Sequence, residues 1–262
     1  MQCPLSFYYE TVLKVPSVNT EAAAYGTAMH HALMVLFEKM RRSKGKQFPA
    51  LKHFLGYFNV EMKRQVGYFT KEEYNRRLEV GRASLTIIYN QYLPQWHKET
   101  KAEYTIKNVQ VAGVPLTGTI DKIEYLKNKK AHIVDYKTGS HNSSKLTKPT
   151  KQNPHGGSYW RQLIFYKILL ESYQSGELVV PSGEIFYVDP APNGKLESKH
   201  VSISSKDTQL VKDLIVEVYQ KIQAHDFYTG CGKSNCTWCN FVKRNELVDS
   251  FANVEIDELD DG

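Results

Sequence analysis

Two acidic residues and a lysine stand where two apolar runs end. Asp121 follows Gly118-Thr119-Ile120, while Asp135 and Lys137 lie in Ile133-Val134-Asp135-Tyr136-Lys137-Thr138-Gly139. If both runs are strands, a side-chain period of two puts Asp135 and Lys137 on one face. Adjoining strands lie about 4.8 Å apart, so Asp121 can reach the same spot. Such charges at the end of a buried sheet are costly unless compensated. A divalent ion held by Asp121 and Asp135, with the Tyr136 carbonyl as a third oxygen ligand, would compensate them. Oxygen ligation favours Mg2+ or Mn2+ over zinc. The ion would lower the pKa of a bound water and stabilise charge on a scissile phosphate. Lys137 would orient that water or help deprotonate it. Asp-x-Lys alone reads more readily as a strand-edge salt bridge; Gly-x-x-Asp one hairpin upstream and Thr138-Gly139 directly after bring the metal site level with that reading.

The cysteines form a second constellation. Cys231-x4-Cys236-x2-Cys239 sits among Gly230, Gly232, Lys233 and Asn235, residues that let a backbone wrap around a metal centre. Three thiolates leave one ligand missing, and Cys3 is the remaining cysteine. Four thiolates suit tetrahedral zinc. Gln162 and Tyr166, four apart, share one helix face, as a packing pair would. The loop from Thr138 to Gly157 carries Lys145, Lys148 and Lys151. It must emerge beside the carboxylates, where those lysines could grip phosphates, or it is a solvated linker. Nothing in it reads bases, so cleavage should be independent of sequence.

These groups need elements to position them. Thr20 can cap a helix over Glu21–Met40, and two further helices are expected at Ala50–Gly67 and Lys71–Gln91. Glu103–Val111, Val114–Tyr125 and Ala131–Lys137 read as consecutive antiparallel strands. A helix at Ser158–Tyr173, strands at Gly183–Asp189 and Lys199–Ile203, and a helix at Lys206–Ala224 complete an α/β sheet flanked by helices. With 262 residues, 41% hydrophobic and 12% aromatic, the chain can bury a core. No apolar run approaches the roughly 20 residues that span a bilayer, and no secretory layout opens the chain. A soluble cytoplasmic protein with no membrane partner is expected. The net charge is +6. Without the tail acids Glu255, Asp257, Glu258, Asp260 and Asp261 the body is about +11, which suits a polyanionic partner or a lysine-rich solvated surface.

Taken in order, Gly26-Thr27-Ala28-Met29-His30, Gly118-Thr119-Ile120-Asp121, Ile133–Gly139 and Gln162-x-x-x-Tyr166 resemble the nuclease module of RecB-type proteins in the PD-(D/E)XK superfamily. The resemblance runs from Cys3 to about Phe241. It implies a restriction-endonuclease-like core with a central mixed sheet. It also implies that His30 is a further metal ligand, with neighbouring His31 an ordinary helical histidine, and that Gln162 and Tyr166 position the metal site and the DNA strand. Glu103 is expected to be structural or to support the ligands from behind. Iron–sulfur relatives, including AddB-type helicase–nucleases and CRISPR adaptation nucleases, hold a [4Fe–4S] cluster on one N-terminal and three C-terminal cysteines. By that likeness Cys3, Cys231, Cys236 and Cys239 staple the chain ends through a cluster, with zinc as the alternative. Departures from the superfamily pattern are the missing proline before Asp121 and Asp in place of Glu at 135.

The organisation expected is a nuclease domain over 1–241 and an acidic tail over 242–262. The activity expected is a metal-dependent DNA nuclease, an exonuclease on single-stranded or unwound ends in recombination and repair. The abrupt start at Met1-Gln2-Cys3 suggests the C-terminal domain of a helicase–nuclease, and the absence of a Walker A motif places any motor elsewhere. The alternatives are a non-catalytic DNA-binding scaffold of a helicase complex and an RNA-directed nuclease.

Overall fold

Thr20 sets the start of the first long helix, its hydroxyl accepting a hydrogen bond from the Ala23 amide at 3.2 Å. The computed structural model describes residues 3–16, 19–139, 141–173, 177–245 and 247. Its elements run α1 (Pro4–Phe7), α2 (Glu21–Arg42), α3 (Leu51–Arg64), α4 (Lys71–Ile87), β1 (Thr100–Val111), β2 (Val114–Tyr125), β3 (Lys130–Lys137), α5 (Ser158–Tyr173), β4 (Val179–Tyr187), β5 (Ser198–Ser202), α6 (Ser205–Gln223) and α7 (Thr237–Arg244). They group into two compact units, one formed by Met1–Val18 with Ile215–Gly262, the other by Asn19–Leu214. The acidic residues Glu255, Asp257, Glu258, Asp260 and Asp261 lie outside the described residues.

The larger unit is an α/β fold around a five-stranded mixed sheet in the order β1-β2-β3-β4-β5. β1, β2 and β3 form an antiparallel meander. Its first turn is tight because Ala112 and Gly113 both take left-handed φ, +50° and +80°. β3 and β4 are parallel, so the chain must cross over between them, and α5 is that crossover. β5 returns antiparallel on β4.

Alternation along the strands gives the sheet two apolar faces. Val134, Tyr136 and Phe186 enter one core with Met29 and Leu33 of α2, Phe54 and Phe58 of α3, and Leu85 of α4. On the other face a Cβ at Gly118 would stand 2.9 Å from Leu169 and 3.1 Å from Phe165, so α5 lies directly on β2. The α4 start is fixed by a reciprocal capping box between Thr70 and Glu73.

Some boundaries differ from the sequence pattern. β1 begins at Thr100, three residues before Glu103, and the helices end in short π or 3-10 turns at Ile88–Tyr92 and Val66–Tyr68. β4 begins at Val179, ahead of the expected start at Gly183, and runs through Pro181. The strand tolerates Pro181 because the β3–β4 register shifts there and no ladder donor is required of it. The loop after Lys137 holds a 3-10 turn at Ser143–Leu146 and is closed on itself by a bond from the Gly157 amide to the Thr147 carbonyl, 2.8 Å. No helix of the described residues is long and apolar enough to cross a membrane.

Candidate active site

Continuing the β2–β3 register one step past the Lys122–Val134 pair sets Asp121 opposite Asp135. The ladder stops there, and the Asp121 carboxylate takes up the next amide, Oδ2 accepting from Tyr136 N–H at 2.8 Å. Both carboxylates are buried, Asp135 completely. Burial, and then the charge of Asp135, push the Asp121 carboxyl up to about 7. Burial also raises Asp135, against the opposing pull of Lys137.

Four of the expected residues close a ring. The Lys137 ammonium lies 2.7 Å from Asp135 Oδ2 and donates to Gln162 Oε1 at 2.9 Å. Gln162 Nε2 donates to the Tyr166 hydroxyl at 2.9 Å, and that hydroxyl donates to Asp135 Oδ1 at 3.4 Å. The period of two in β3 and the four-residue step in α5 supply the two halves. Packing of α5 on the sheet joins them.

α2 brings His30 to the same place. Its Nε2 lies 3.0 Å from the Tyr136 carbonyl oxygen, and its Nδ1 lies 3.3 Å from Glu103 Oε1 and 3.5 Å from Asp121 Oδ2. Burial alone would lower the His30 ring, but the Glu103 hydrogen bond and the charges of Asp121 and Asp135 outweigh it and raise it. Gly26, one turn earlier, permits the approach, since a Cβ there would stand 3.3 Å from Thr138 Oγ1. His31 points elsewhere, 3.9 Å from Glu61.

Glu103 is the residue whose part the sequence understated. The β1–β2 register passes from Ala102–Lys122 to Tyr104–Ile120, which puts Glu103 beside Asp121. Its backbone is left-handed, φ +45°, an uncommon conformation for a non-glycine residue in a strand. Acidic side chains thus lie on three successive strands. Asp189, just past β4, was also missed. One oxygen accepts from Tyr25 OH at 2.6 Å and the other from Gly139 N–H at 2.8 Å, fixing the chain directly after Thr138. Its one sequence signal is an acid at the end of an apolar run.

A model of the PD-(D/E)XK nuclease superfamily matches residues 1–244. The chain belongs to that superfamily. Among solved structures, a crystal structure of a "putative exonuclease" from Eubacterium rectale is similar at a TM-score of 0.57 and 12% identity, covering 91% of this chain and 80% of its own. That likeness is one of fold. A second, SSO0001, has a TM-score of 0.32 at 15% identity over 84% of each chain and bears on nothing further. No curated protein sequence matches.

Superfamily nucleases use divalent metals, and the residues here fit one. Asp135 Oδ2 is buried with no hydrogen-bond partner; Lys137 is within 2.7 Å but off the angle of a hydrogen bond. His30, Glu103 and Asp121 each offer a donor atom within 4.8 Å of the others. Three carboxylates, a carbonyl oxygen and one imidazole make a mostly oxygen donor set, hard enough for Mg2+ or Mn2+.

The three loop lysines are placed unequally. Lys145 Nζ lies 4.9 Å from the centre of the Tyr159 ring, and Lys137 Nζ stands at the same distance. Lys148 is engaged by Asp207 at 3.0 Å, and Lys151 is exposed.

In the smaller unit the four cysteines come together as free thiols. Sγ distances are 3.7 Å for Cys3–Cys239, 3.7 Å for Cys231–Cys239 and 3.6 Å for Cys236–Cys3. Cys236 precedes α7 and Cys239 lies in its first turn, so the x2 spacing delivers both sulfurs to one end of that helix. Gly230 leaves room, since a Cβ there would stand 3.0 Å from the Cys239 sulfur. Tyr9 stacks on Trp238 at 4.5 Å beside them. Burial works against the Cys3 thiolate, yet hydrogen bonds from the Ser6 and Cys231 amides and from the Cys236 and Cys239 thiols bring its pKa down to about 6. Burial, then Cys236, push Cys239 up to about 12. The lowered Cys3 pKa favours the thiolate form, the form in which cysteine ligates a metal.

Proposed function

We propose that this protein is a metal-dependent deoxyribonuclease, acting as an exonuclease on single-stranded or unwound ends in recombination and repair. The observation that carries the reading is the closed ring Asp135–Lys137–Gln162–Tyr166, set against Asp121, Glu103 and His30. Asp121, Asp135, Glu103, His30 and the Tyr136 carbonyl would hold Mg2+ or Mn2+. When bound, that ion supplies an acidified water and neutralises charge on the phosphate. Lys137, fixed between Asp135 and Gln162, holds the attacking water and opposes the negative charge that develops on phosphorus-bound oxygen. Tyr166 keeps Asp135 oriented, and Gln162 keeps both Lys137 and Tyr166 in place. Lys145 and Lys151 can grip phosphates, and the Tyr159 ring beside Lys137 gives a base a surface to stack on. None of these groups reads a base edge, which favours cleavage independent of sequence. A helicase partner is the part of the reading that rests on RecB-type likeness alone.

The four cysteines hold a metal centre that fastens the two ends of the chain. Family likeness makes it a [4Fe–4S] cluster. Zinc is a second reading, favoured by the 3.6–3.7 Å sulfur separations, since thiolates at tetrahedral zinc stand about 3.8 Å apart. Absorbance near about 400 nm after anaerobic purification identifies the cluster; a colourless protein with stoichiometric zinc removes it.

The test of the nuclease compares the parent with Asp135→Ala and Lys137→Ala on single-stranded DNA with Mn2+, with matched RNA alongside. Loss of cleavage in both variants is expected. Cleavage at the parental rate by both discards this active site, and equal or faster cleavage of RNA discards the DNA assignment.

A further inference from the structure

On the face of the sheet opposite Asp135, three adjacent strands bring together a second set of metal-binding side chains. β3 contributes His132, β4 Glu184 and β5 His200, with donor atoms all within 4.8 Å of one another. The register explains the meeting: Glu184 pairs with Val134 on one side and His200 on the other, and His132 sits two residues before Val134 on the same face. Alternation turns all three away from the carboxylates of the nuclease site.

His132 Nε2 stands 3.2 Å from Glu184 Oε2, and His200 Nε2 stands 3.8 Å from Glu184 Oε1. The two imidazoles lie side by side, ring centres 5.7 Å apart and inclined by 29°. The other His132 nitrogen, Nδ1, lies 3.1 Å from Ser182 Oγ. With the Nδ1 hydrogen given to that hydroxyl, Nε2 presents a lone pair to a carboxylate oxygen that presents lone pairs in return. A cation between them resolves the contact in that tautomer, whereas in the other Nε2–H donates to Glu184 and the Ser182 hydroxyl to Nδ1. The nearby ammonium of Lys122, whose charge also acts on Glu184, is itself held by Glu124 at 2.8 Å and lies over the Trp96 ring at 4.4 Å.

The geometry points to a zinc site made by His132, Glu184 and His200. Two imidazoles and a carboxylate with a fourth position open is a common zinc ligand set, and bonds of about 2.0–2.1 Å in a tetrahedron place ligand atoms about 3.3 Å apart. The His132–Glu184 separation already matches at 3.2 Å. The exposed His200 side chain completes the set with a small rotation. Ser182 serves as the outer partner that fixes the ring tautomer of a metal-bound histidine. The two imidazoles separate this site from the oxygen-rich one by metal class. His200 is exposed, so the open position is accessible to water. A bound ion ties β5 to β3, a strand with which it shares no ladder.

The test uses the full chain, stripped with chelator and dialysed against ZnCl2 in excess Mg2+, which occupies oxygen-rich sites. Zinc per chain is measured for the parent, His132→Ala, His200→Ala and Ser182→Ala. The two histidine variants should each carry one zinc fewer than the parent. Ser182→Ala should bind that zinc about tenfold more weakly, the effect expected of an outer-shell partner. The 65% exposed His200 side chain makes its replacement harmless to folding, checked by an unchanged melting temperature in chelator. Equal zinc content in the parent and His200→Ala overturns the proposal and leaves a His132–Glu184 ion pair. The cysteine and nuclease sites are unaltered in every variant, so their behaviour leaves the comparison intact.

Discussion

Asp121→Asn should make the metal-free protein more stable while removing its proposed activity. Asp121 is buried and its carboxyl titrates at about 7, where an ordinary aspartate titrates at 3.8. A carboxyl raised on folding costs nothing while both states are protonated, below about pH 4. Its penalty grows as pH rises and is complete above 7. The difference corresponds to at most about 4 kcal/mol, from about 1.4 kcal/mol per unit. Asparagine removes the charge, and its side-chain oxygen can still accept from the Tyr136 amide. Part of the gain is lost with the attraction to His30, which leaves about 2–3 kcal/mol at pH 8. For a chain of this size that is a rise of roughly 5–10 °C in melting temperature. Calorimetry in chelator at pH 8 and pH 5 reads it, and the gain should shrink to about 1 kcal/mol at pH 5. With saturating Mn2+ the order reverses, because the parent alone gains binding energy from the metal. An asparagine variant that melts at or below the parent at pH 8 in chelator refutes the claim that this carboxylate is held ionised at a cost for a metal to relieve.

Gln162→Ala removes the acceptor of Lys137 and the donor to Tyr166, and should lower kcat about 10- to 100-fold with little change in KM, the scale of a hydrogen bond to a charged group. Gln162→Glu keeps the acceptor and should recover part of the loss in steady-state assays; a change confined to KM would place Gln162 in substrate binding instead. Cys3→Ser should release the cysteine-bound metal, measured by metal content, and lower the melting temperature. Its sulfur contacts both Cys236 and Cys239 across more than 200 residues of sequence, and closing so long a loop through metal stabilises by several kcal/mol. Undiminished metal content in Cys3→Ser would show that the three C-terminal thiols suffice.

Local periodicity made much of this legible before any tertiary contact. The period of two placed Asp135 beside Lys137, the helical step placed Gln162 beside Tyr166, and Thr20 marked a helix start through its hydroxyl. Those relations span at most four residues, so the chain's own geometry enforces them. What joins the pairs is set by packing over longer separations. Tyr166 reaches Asp135 only because α5 lies on the sheet, close against Gly118. Glu103 meets His30 through strand register and a left-handed backbone that no sequence period announces. Asp189 anchors Gly139 from 50 residues away, and His132, Glu184 and His200 meet because β3, β4 and β5 happen to align in that register. The sequence alone determined which residues could do chemistry and which short-range partners they had; the folded sheet decided which of them come together, because register and helix docking are collective outcomes of burying the core.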